Sequence, residues 1–246
     1  MNFKKYAVVG LVAASVVLTQ MNASASAAEV GSVTTNSKIQ FKKQEESIVN
    51  PPVNPLDPDQ TLDPADGGTT YPSTSGPLSI DYASQFDFGT QEISGETKVY
   101  KAKLDKVKVN GEYIDVPNNI QVSDNRGNNA GWHLTVAQDG QLKDGSNRSL
   151  NGAEIAITKT TPTTKTGTGV VAPTASQSIK LNPNGTASTV LDAKAEQGMG
   201  KWVANFGADN TAAADAVTLT VPGKSAKYAD SEYATTLTWT LSDTPE

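Results

Sequence analysis

An acidic and a basic residue stand two positions apart in the polar stretch that precedes the first tryptophan-containing motif. Asp124 and Arg126 point to the same side of an extended segment, because alternate side chains of a strand share a face. They can pair to hold the loop, or they can present a carboxylate and a guanidinium group to a polar ligand. Gly127, Asn128 and Asn129 follow, as a tight polar loop leading into a strand requires.

Two tryptophans occur in similar β-like stretches more than a hundred residues apart, GWHLTV at 131–136 and LTWTL at 237–241. In a strand, the tryptophan and the leucine of each Trp-x-Leu motif share a face, and the residue between them points the other way. The six residues of these two motifs are Trp132, His133, Leu134, Trp239, Thr240 and Leu241.

Each of these tryptophans shares its face with apolar neighbours, which favours a place in the core. The alternative is a stacking platform for sugars, built from the flat faces of the rings. Trp202, the third tryptophan, lies in KWVANF and fits either interpretation. Because the polar residues lie on the other side of the strands, the sequence favours the core.

The chain offers little for catalysis. His133, the single histidine, lies on the face opposite the tryptophan, and no nucleophile elbow, phosphate loop or zinc-protease motif is present. Paired carboxylates can cleave glycans, but any choice such as Asp139 with Asp144 is arbitrary, and both residues precede a glycine as turn residues do. The sequence therefore predicts no enzyme, no metal ligand set and no cofactor.

Charge and cysteine content exclude further classes. The 246 residues carry a formal net charge of −6, which argues against nucleic acid as a partner, since phosphate binding needs a basic surface. No cysteine occurs, so disulfides, thiolate metal sites and a lipid-modified cysteine anchor are excluded.

The candidate residues are carried by short, strand-like runs that begin near residue 78. Runs rich in Val, Ile and Thr alternate with Gly, Asn and Asp, and long helical periodicity is missing. Asn110-Gly111 in KVKVNGEYIDV is the dipeptide most favoured in a two-residue hairpin turn. The sequence predicts an all-β domain over residues 78–246, an antiparallel β-sandwich or a barrel-like fold.

The first residues predict export. Lys4 and Lys5 precede an uncharged run and the small-residue stretch ASASAA, which together are typical of a secretory signal peptide over residues 1–27. Cleavage is expected after Ala25 or Ala27. The mature protein is then secreted.

Residues 28–77 are predicted to be a disordered arm followed by an acidic Pro-rich linker. Seven of the 13 prolines fall within residues 51–77, where large apolar residues are few. Such a composition buries too little apolar surface to offset the entropy of ordering, so an extended tether is expected.

In combination these features resemble the WxL-domain surface proteins of low-GC Gram-positive bacteria. The motifs that carry the resemblance are FDFG at 86–89, VSDNRGNNAGWHLTV at 122–136 and YATTLTWTLSDTP at 233–245. The resemblance covers residues 78–246. It implies non-covalent attachment to the cell wall, with peptidoglycan as the ligand, and a membrane-anchored WxL-interacting protein as a further partner.

The final residues SDTPE hold no sortase motif and no hydrophobic tail, so attachment by binding is expected. An adhesin for host extracellular matrix or bile components remains the alternative. In either case we expect the tryptophans to shape the site from beneath and polar neighbours to make the contacts. Those neighbours are Asp124, Arg126, Asn128, Asn129, His133 and Thr240.

Overall fold

The structure, a computed structural model, describes residues 30–65 and 71–246. The predicted signal peptide lies outside the described residues. The chain divides into two units, Met1–Gln40 and Phe41–Glu246. Of the first unit only residues 30–40 are described, and they form no helix or strand.

The described part of the chain is almost entirely β-structure. No helix in it is long and apolar enough to cross a membrane. Its elements, in chain order, are β1 (Val53–Asn54), β2 (Asp57–Thr61), β3 (Leu78–Ala83), β4 (Lys98–Lys101), β5 (Asp105–Val109), β6 (Glu112–Val116), β7 (Asn119–Asp124), β8 (Trp132–Lys143), β9 (Glu154–Thr158), β10 (Thr160–Thr164), β11 (Thr174–Ala175), β12 (Ser178–Lys180), β13 (Ser188–Ala193), β14 (Gly200–Phe206), α1 (Asn210–Ala213), β15 (Val217–Val221) and β16 (Ala234–Ser242).

Three four-stranded sheets form the body of the domain. Their strand orders are β10-β14-β7-β3, β11-β13-β8-β16 and β12-β9-β15-β4. The named strands pair antiparallel, so the predicted all-β antiparallel class is confirmed. The first Trp-x-Leu motif lies on β8, which is one of the two inner strands of the second sheet.

One hydrophobic core is shared by the three sheets. Ile120 on β7, Trp132 on β8 and Ile157 on β9 come from different sheets, and all three are fully buried in the same cluster. Each sheet alternates apolar and polar side chains along its strands, so one face packs inward. Whether a site residue on β8 or β16 points into the core or away from it therefore depends on the face of the strand that it occupies.

The hairpin predicted at Asn110-Gly111 is confirmed. β5 and β6 pair antiparallel on either side of this dipeptide. Asn110 has φ 52° and Gly111 has φ 85°, which is the left-handed conformation that a type I′ turn requires at both central positions.

The Pro-rich stretch differs from the expected extended tether. Its residues 53–61 form the hairpin β1–β2, which lies on the outer face of β7. The side-chain amide of Gln121 donates to the carbonyl of Val53 and accepts from its N–H, both at 2.8 Å. Asn205 on β14 donates to the carbonyl of Pro55 at 2.8 Å. The domain is therefore ordered well before residue 78.

Hydrogen bonds from buried amides explain this difference. Apolar content alone predicts no order here, because only Val53 and Leu62 bury large side chains between residues 53 and 62. Gln121 and Asn205 are themselves fully buried polar groups. The backbone of the hairpin pairs both ends of the Gln121 amide and accepts from the side-chain nitrogen of Asn205. The ordering entropy is thus offset by satisfying polar groups as well as by apolar burial.

Candidate functional site

The two Trp-x-Leu motifs lie side by side. β16 pairs antiparallel with β8, and in their register Leu241 stands opposite Leu134 while Trp239 stands opposite Val136. Residues directly opposite each other in an antiparallel pair point to the same face. The tryptophans and leucines of both motifs therefore share the inner face of one sheet, so the two distant motifs form a single feature.

The inner face is a core surface. Trp132 and Leu134 are 0% exposed, and the indole Nε1 of Trp132 donates to the carbonyl of Gly198 at 2.9 Å. Trp239 is partly buried and stacks on Phe206, with ring centroids 6.2 Å apart and planes 14° apart. Because the ring of Trp132 has no exposed surface, it cannot serve as a stacking platform for a sugar.

Two glycines allow close packing around the first Trp-x-Leu motif, Gly131 against the backbone of β13 and Gly198 against the indole ring of Trp132. Gly131 has φ 81°, and a Cβ there would lie 2.1 Å from the carbonyl oxygen of Ala193. Gly198 has φ 71°, and a Cβ there would lie 2.6 Å from Nε1 of Trp132. Both distances are shorter than van der Waals contact allows, so any side chain would push the neighbouring strand or the indole ring away.

Arg126 and Asp124 form a bidentate ion pair. The Nε of Arg126 donates to Oδ1 of Asp124 at 2.9 Å, and one terminal nitrogen donates to Oδ2 at 2.8 Å. Both side chains are nearly buried. The hydrogen bond to Asp124 raises the pKa of Arg126 further above its already high value, so the guanidinium group stays charged.

The same guanidinium group also bridges the two motif strands. It donates to the carbonyl of Gly131, directly before β8, at 2.5 Å, and to the carbonyl of Asp243, directly after β16, at 3.0 Å. Arg126 thus fastens the end of β7 to both strands. With four of its five N–H groups engaged, it has little left to offer a ligand.

The loop after Arg126 is exposed. Gly127 and Asn129 adopt positive φ values of 70° and 52°. The side chain of Asn128 accepts from the N–H of Ala130 at 3.2 Å, and the carbonyl of Asn129 accepts from the N–H of Glu196 at 2.8 Å. The backbone is therefore held, while both asparagine side chains face solvent.

His133 lies on the outer face of the sheet, beneath the C-terminal residue. Its Nδ1 lies 3.2 Å from Oδ1 of Asp192, which is the cross-strand neighbour on β13. The other ring nitrogen lies 3.4 Å from Oε2 of Glu246. Glu246 also donates its backbone N–H to Asp192 at 3.0 Å, and Lys194 contacts both acidic residues. The histidine is largely covered by this cluster.

Thr240 belongs to a row of hydroxyl side chains on the same outer face. It stands opposite Thr135 on β8, which in turn stands opposite Thr189 on β13. Along β16, Thr238, Thr240 and Ser242 are all exposed. The outer face therefore presents hydroxyl groups on three adjacent strands, bordered by the loop that holds the asparagines.

The cluster around Asp192 predicts a pH dependence of stability. Burial alone would raise the pKa of Asp192, but hydrogen bonds from Lys194, the N–H of Glu246 and His133 together lower it. A carboxyl whose pKa is lower in the folded state contributes stability above its unfolded pKa of about 3.9, and this contribution is lost as the pH falls through the folded pKa.

We expect the thermal midpoint of the unmodified protein to fall more steeply below about pH 4 than that of Asp192→Asn. Calorimetry at stepped pH values measures the difference. Asp139→Asn, which removes an exposed carboxylate from β8, is the matched control and should follow the unmodified protein. Equal pH slopes for all three proteins would show that the Asp192 cluster contributes nothing.

Sequence reasoning missed several partners of these residues. Asp192, Lys194 and Glu246 carry no local pattern that points to His133. The first two reach it through the pairing of β13 with β8, and Glu246 reaches it through the pairing of β16 with β8. Gly198 lies opposite the indole ring for the same reason. Among the residues that the structure describes, no cluster of histidine and acidic side chains is arranged to hold a metal ion.

Comparison with known families identifies the family of the chain. A family model described as WxL domain surface cell wall-binding matches residues 28–245, which include both Trp-x-Leu motifs and the β1–β2 hairpin. No curated protein and no solved structure gives a significant match. The family match covers nearly the whole chain. The chain therefore belongs to the WxL family of cell wall-binding surface domains.

Proposed function

We propose that this protein is exported and is held non-covalently at the cell wall by binding peptidoglycan. Binding to the cell wall at the surface follows from membership of the family. The proposal adds the ligand, the mode of attachment and the surface that makes the contact. That surface is the outer face of β8, β13 and β16 together with the loop at residues 125–130, here called the outer hydroxyl face.

The exposed row of hydroxyl groups is the observation that carries this choice. Thr238, Thr240 and Ser242 project from alternate positions of β16, about 7 Å apart along the strand. Hydroxyl and amide groups both donate and accept hydrogen bonds, which suits a ligand made of sugar hydroxyls, acetamido groups and short peptides. The adjoining side chains of Asn128 and Asn129 extend the same chemistry.

In this proposal, neither the charged pair nor the tryptophans contact the ligand directly. Arg126 and Asp124 bind each other and fix the loop, so they act as positioning residues. Trp132 and Leu134 lie in the core beneath the outer hydroxyl face. Direct contact is left to the exposed hydroxyls and asparagines, while His133 becomes accessible only where Glu246 moves aside.

Co-sedimentation with peptidoglycan stripped of protein and teichoic acid tests the proposal. The protein is used as secreted by a Gram-positive expression host, and its intact mass shows whether the leader is cleaved after Ala25 or Ala27. The hairpin β1–β2 packs on β7, so the fragment 78–246 is unsuitable because it lacks this hairpin.

Thr240→Arg is expected to lower the bound fraction strongly, because a long charged side chain would stand in the middle of the hydroxyl row. Ser178→Arg, at an exposed hydroxyl position on β12 of another sheet, is the control with the same change in charge and should bind normally. If both variants bound equally well, the binding site would not lie on the outer hydroxyl face.

Failure of the unmodified protein to pellet would contradict direct peptidoglycan binding. Binding to whole cells that persists in that case would assign the attachment to a surface protein, such as a membrane-anchored WxL-interacting partner. A host matrix ligand would be the remaining candidate. Nothing in the described residues favours either of these over the wall itself.

A further inference from the structure

The core is incompletely covered along one edge of the second sheet. β16 is the edge strand of that sheet, and among the described strands only β8 pairs with it. On β8 the inner residues Trp132, Leu134 and Val136 are fully buried. On β16 their counterparts Trp239 and Leu241 are only partly buried. Apolar side chains therefore become exposed to water at this edge.

An edge of this kind is able to accept another strand. β16 spans nine residues, and no other strand among residues 30–65 and 71–246 pairs with its outer edge, which therefore presents backbone N–H and C=O groups. Its side chains are neutral throughout. Natural edge strands are commonly protected by lysine, proline or a bulge, and most of β16 lacks such protection because its register shifts only between Ala234 and Thr236.

The N-terminal arm has the pattern of a strand without a partner. In VTTNSKIQF, residues 33–41, the apolar residues Val33, Ile39 and Phe41 stand at odd positions, the other two odd positions carry Thr and Ser, and every even position is polar or charged. These three side chains are 91%, 79% and 85% exposed. Large apolar side chains gain free energy when they are buried, so the arm is stabilised by any surface that covers them.

The charges of the two segments are complementary. Residues 30–43 contain three lysines and no acidic residue, whereas residues 229–246 contain four acidic residues and no basic one. Lys42 and Lys43 contact Glu45 and Glu46, but all four of these side chains are more than half exposed, so the pairs are weak and can be exchanged. Two copies of β16 would instead bring acidic flanks together, which disfavours edge-to-edge pairing of that strand with itself.

We propose that the arm of one molecule, residues 33–41, adds to the free edge of β16 in a second copy of the chain. The odd-numbered apolar side chains of the arm then cover the partly buried inner residues of β16. Reciprocal exchange closes a dimer, and one-way exchange builds an open chain of molecules. The proposal does not depend on the outer hydroxyl face and concerns self-association alone.

Sedimentation equilibrium of the secreted protein over a range of concentrations tests the proposal. We expect reversible self-association that weakens as salt is raised, because opposite charges flank the contact. The double variant Ile39→Ser, Phe41→Ser should weaken the association at least about tenfold, and the midpoint of unfolding should not change because both side chains are exposed. Asn36→Ser with Gln40→Ser, on the other face of the arm, is the control and should associate normally.

Two variants that place opposite charges at the same position of β16 give an independent test. Thr238→Lys should weaken association, because it places a cation at the edge that receives the lysine-bearing arm. Thr238→Glu, at the same exposed position, should leave association intact or strengthen it. A monomer at every concentration, or equal association of the double arm variant and its control, would overturn the proposal.

Discussion

Replacing Trp132 by Ala is expected to lower the free energy of unfolding by about 3–5 kcal/mol. The ring is fully buried between the sheets, and its Nε1 donates to the carbonyl of Gly198. Removing it leaves a large cavity and an unpaired carbonyl, and the loss is a large share of the stability of an ordinary domain. Urea or guanidinium unfolding followed by far-UV circular dichroism measures the change.

Two further variants separate the causes of this loss. Trp132→Phe keeps most of the buried apolar surface but loses the hydrogen bond to Gly198, so its effect should be clearly smaller than that of the alanine variant. Trp239→Ala should also cost less, because Trp239 is only partly buried and contacts Phe206 on one face. If both alanine variants unfolded equally easily, the difference in burial would not govern their stability.

Arg126→Ala is expected to cost about 3–5 kcal/mol, since it leaves the nearly buried carboxylate of Asp124 without its counter-ion. The variant also removes the donors to the carbonyls of Gly131 and Asp243, which join the two motif strands. Arg126→Lys should not restore stability, because an ammonium group cannot reproduce the planar fork that engages three partners. Chemical unfolding of both variants tests this.

A double-mutant cycle checks that the pair acts as a unit. Asp124→Ala combined with Arg126→Ala should cost less than the sum of the single changes, because no charge is left unpaired. Loss of wall binding by Arg126→Ala would then reflect a disordered loop. A fully stable Arg126→Ala variant that fails to bind peptidoglycan would instead identify Arg126 as a ligand contact.

The faces of the motif strands could be predicted from the sequence, while their pairing could not. The alternation of side chains along a strand places Trp132 with Leu134 on one face and His133 on the other, and the structure shows the same arrangement. The hairpin at Asn110-Gly111 follows from local turn chemistry in the same way. That Leu134 stands opposite Leu241 is a long-range fact, and no local pattern in one sequence encodes it.

The sequence does not decide whether the charged pair binds a ligand, for a similar reason. The two-residue spacing of Asp124 and Arg126 predicts that they can meet, and they do. Whether a guanidinium group is free for a ligand depends on what else is near it. Here the carbonyls of Gly131 and Asp243 decide the matter, and Asp243 is more than a hundred residues away along the chain.

The Pro-rich hairpin shows the limit of reasoning from composition. Prolines and few apolar residues predict a tether, since the usual source of order is apolar burial. Order comes here from the amides of Gln121 and Asn205, which lie on strands far along the chain. The hydropathy of a sequence does not show which polar side chains will be buried and will need a hydrogen-bond partner.

The pairing of β8 with β16 also sets the earliest point in synthesis at which the second sheet can be completed. One edge of β8 stays without its partner strand until residues 234–242 have left the ribosome. Long-range antiparallel pairing of this kind forms late and slowly. A chain that lacks residues 234–242 leaves backbone N–H and C=O groups along this edge of β8 without their partners. The second Trp-x-Leu motif is therefore the last part of the second sheet to be synthesised.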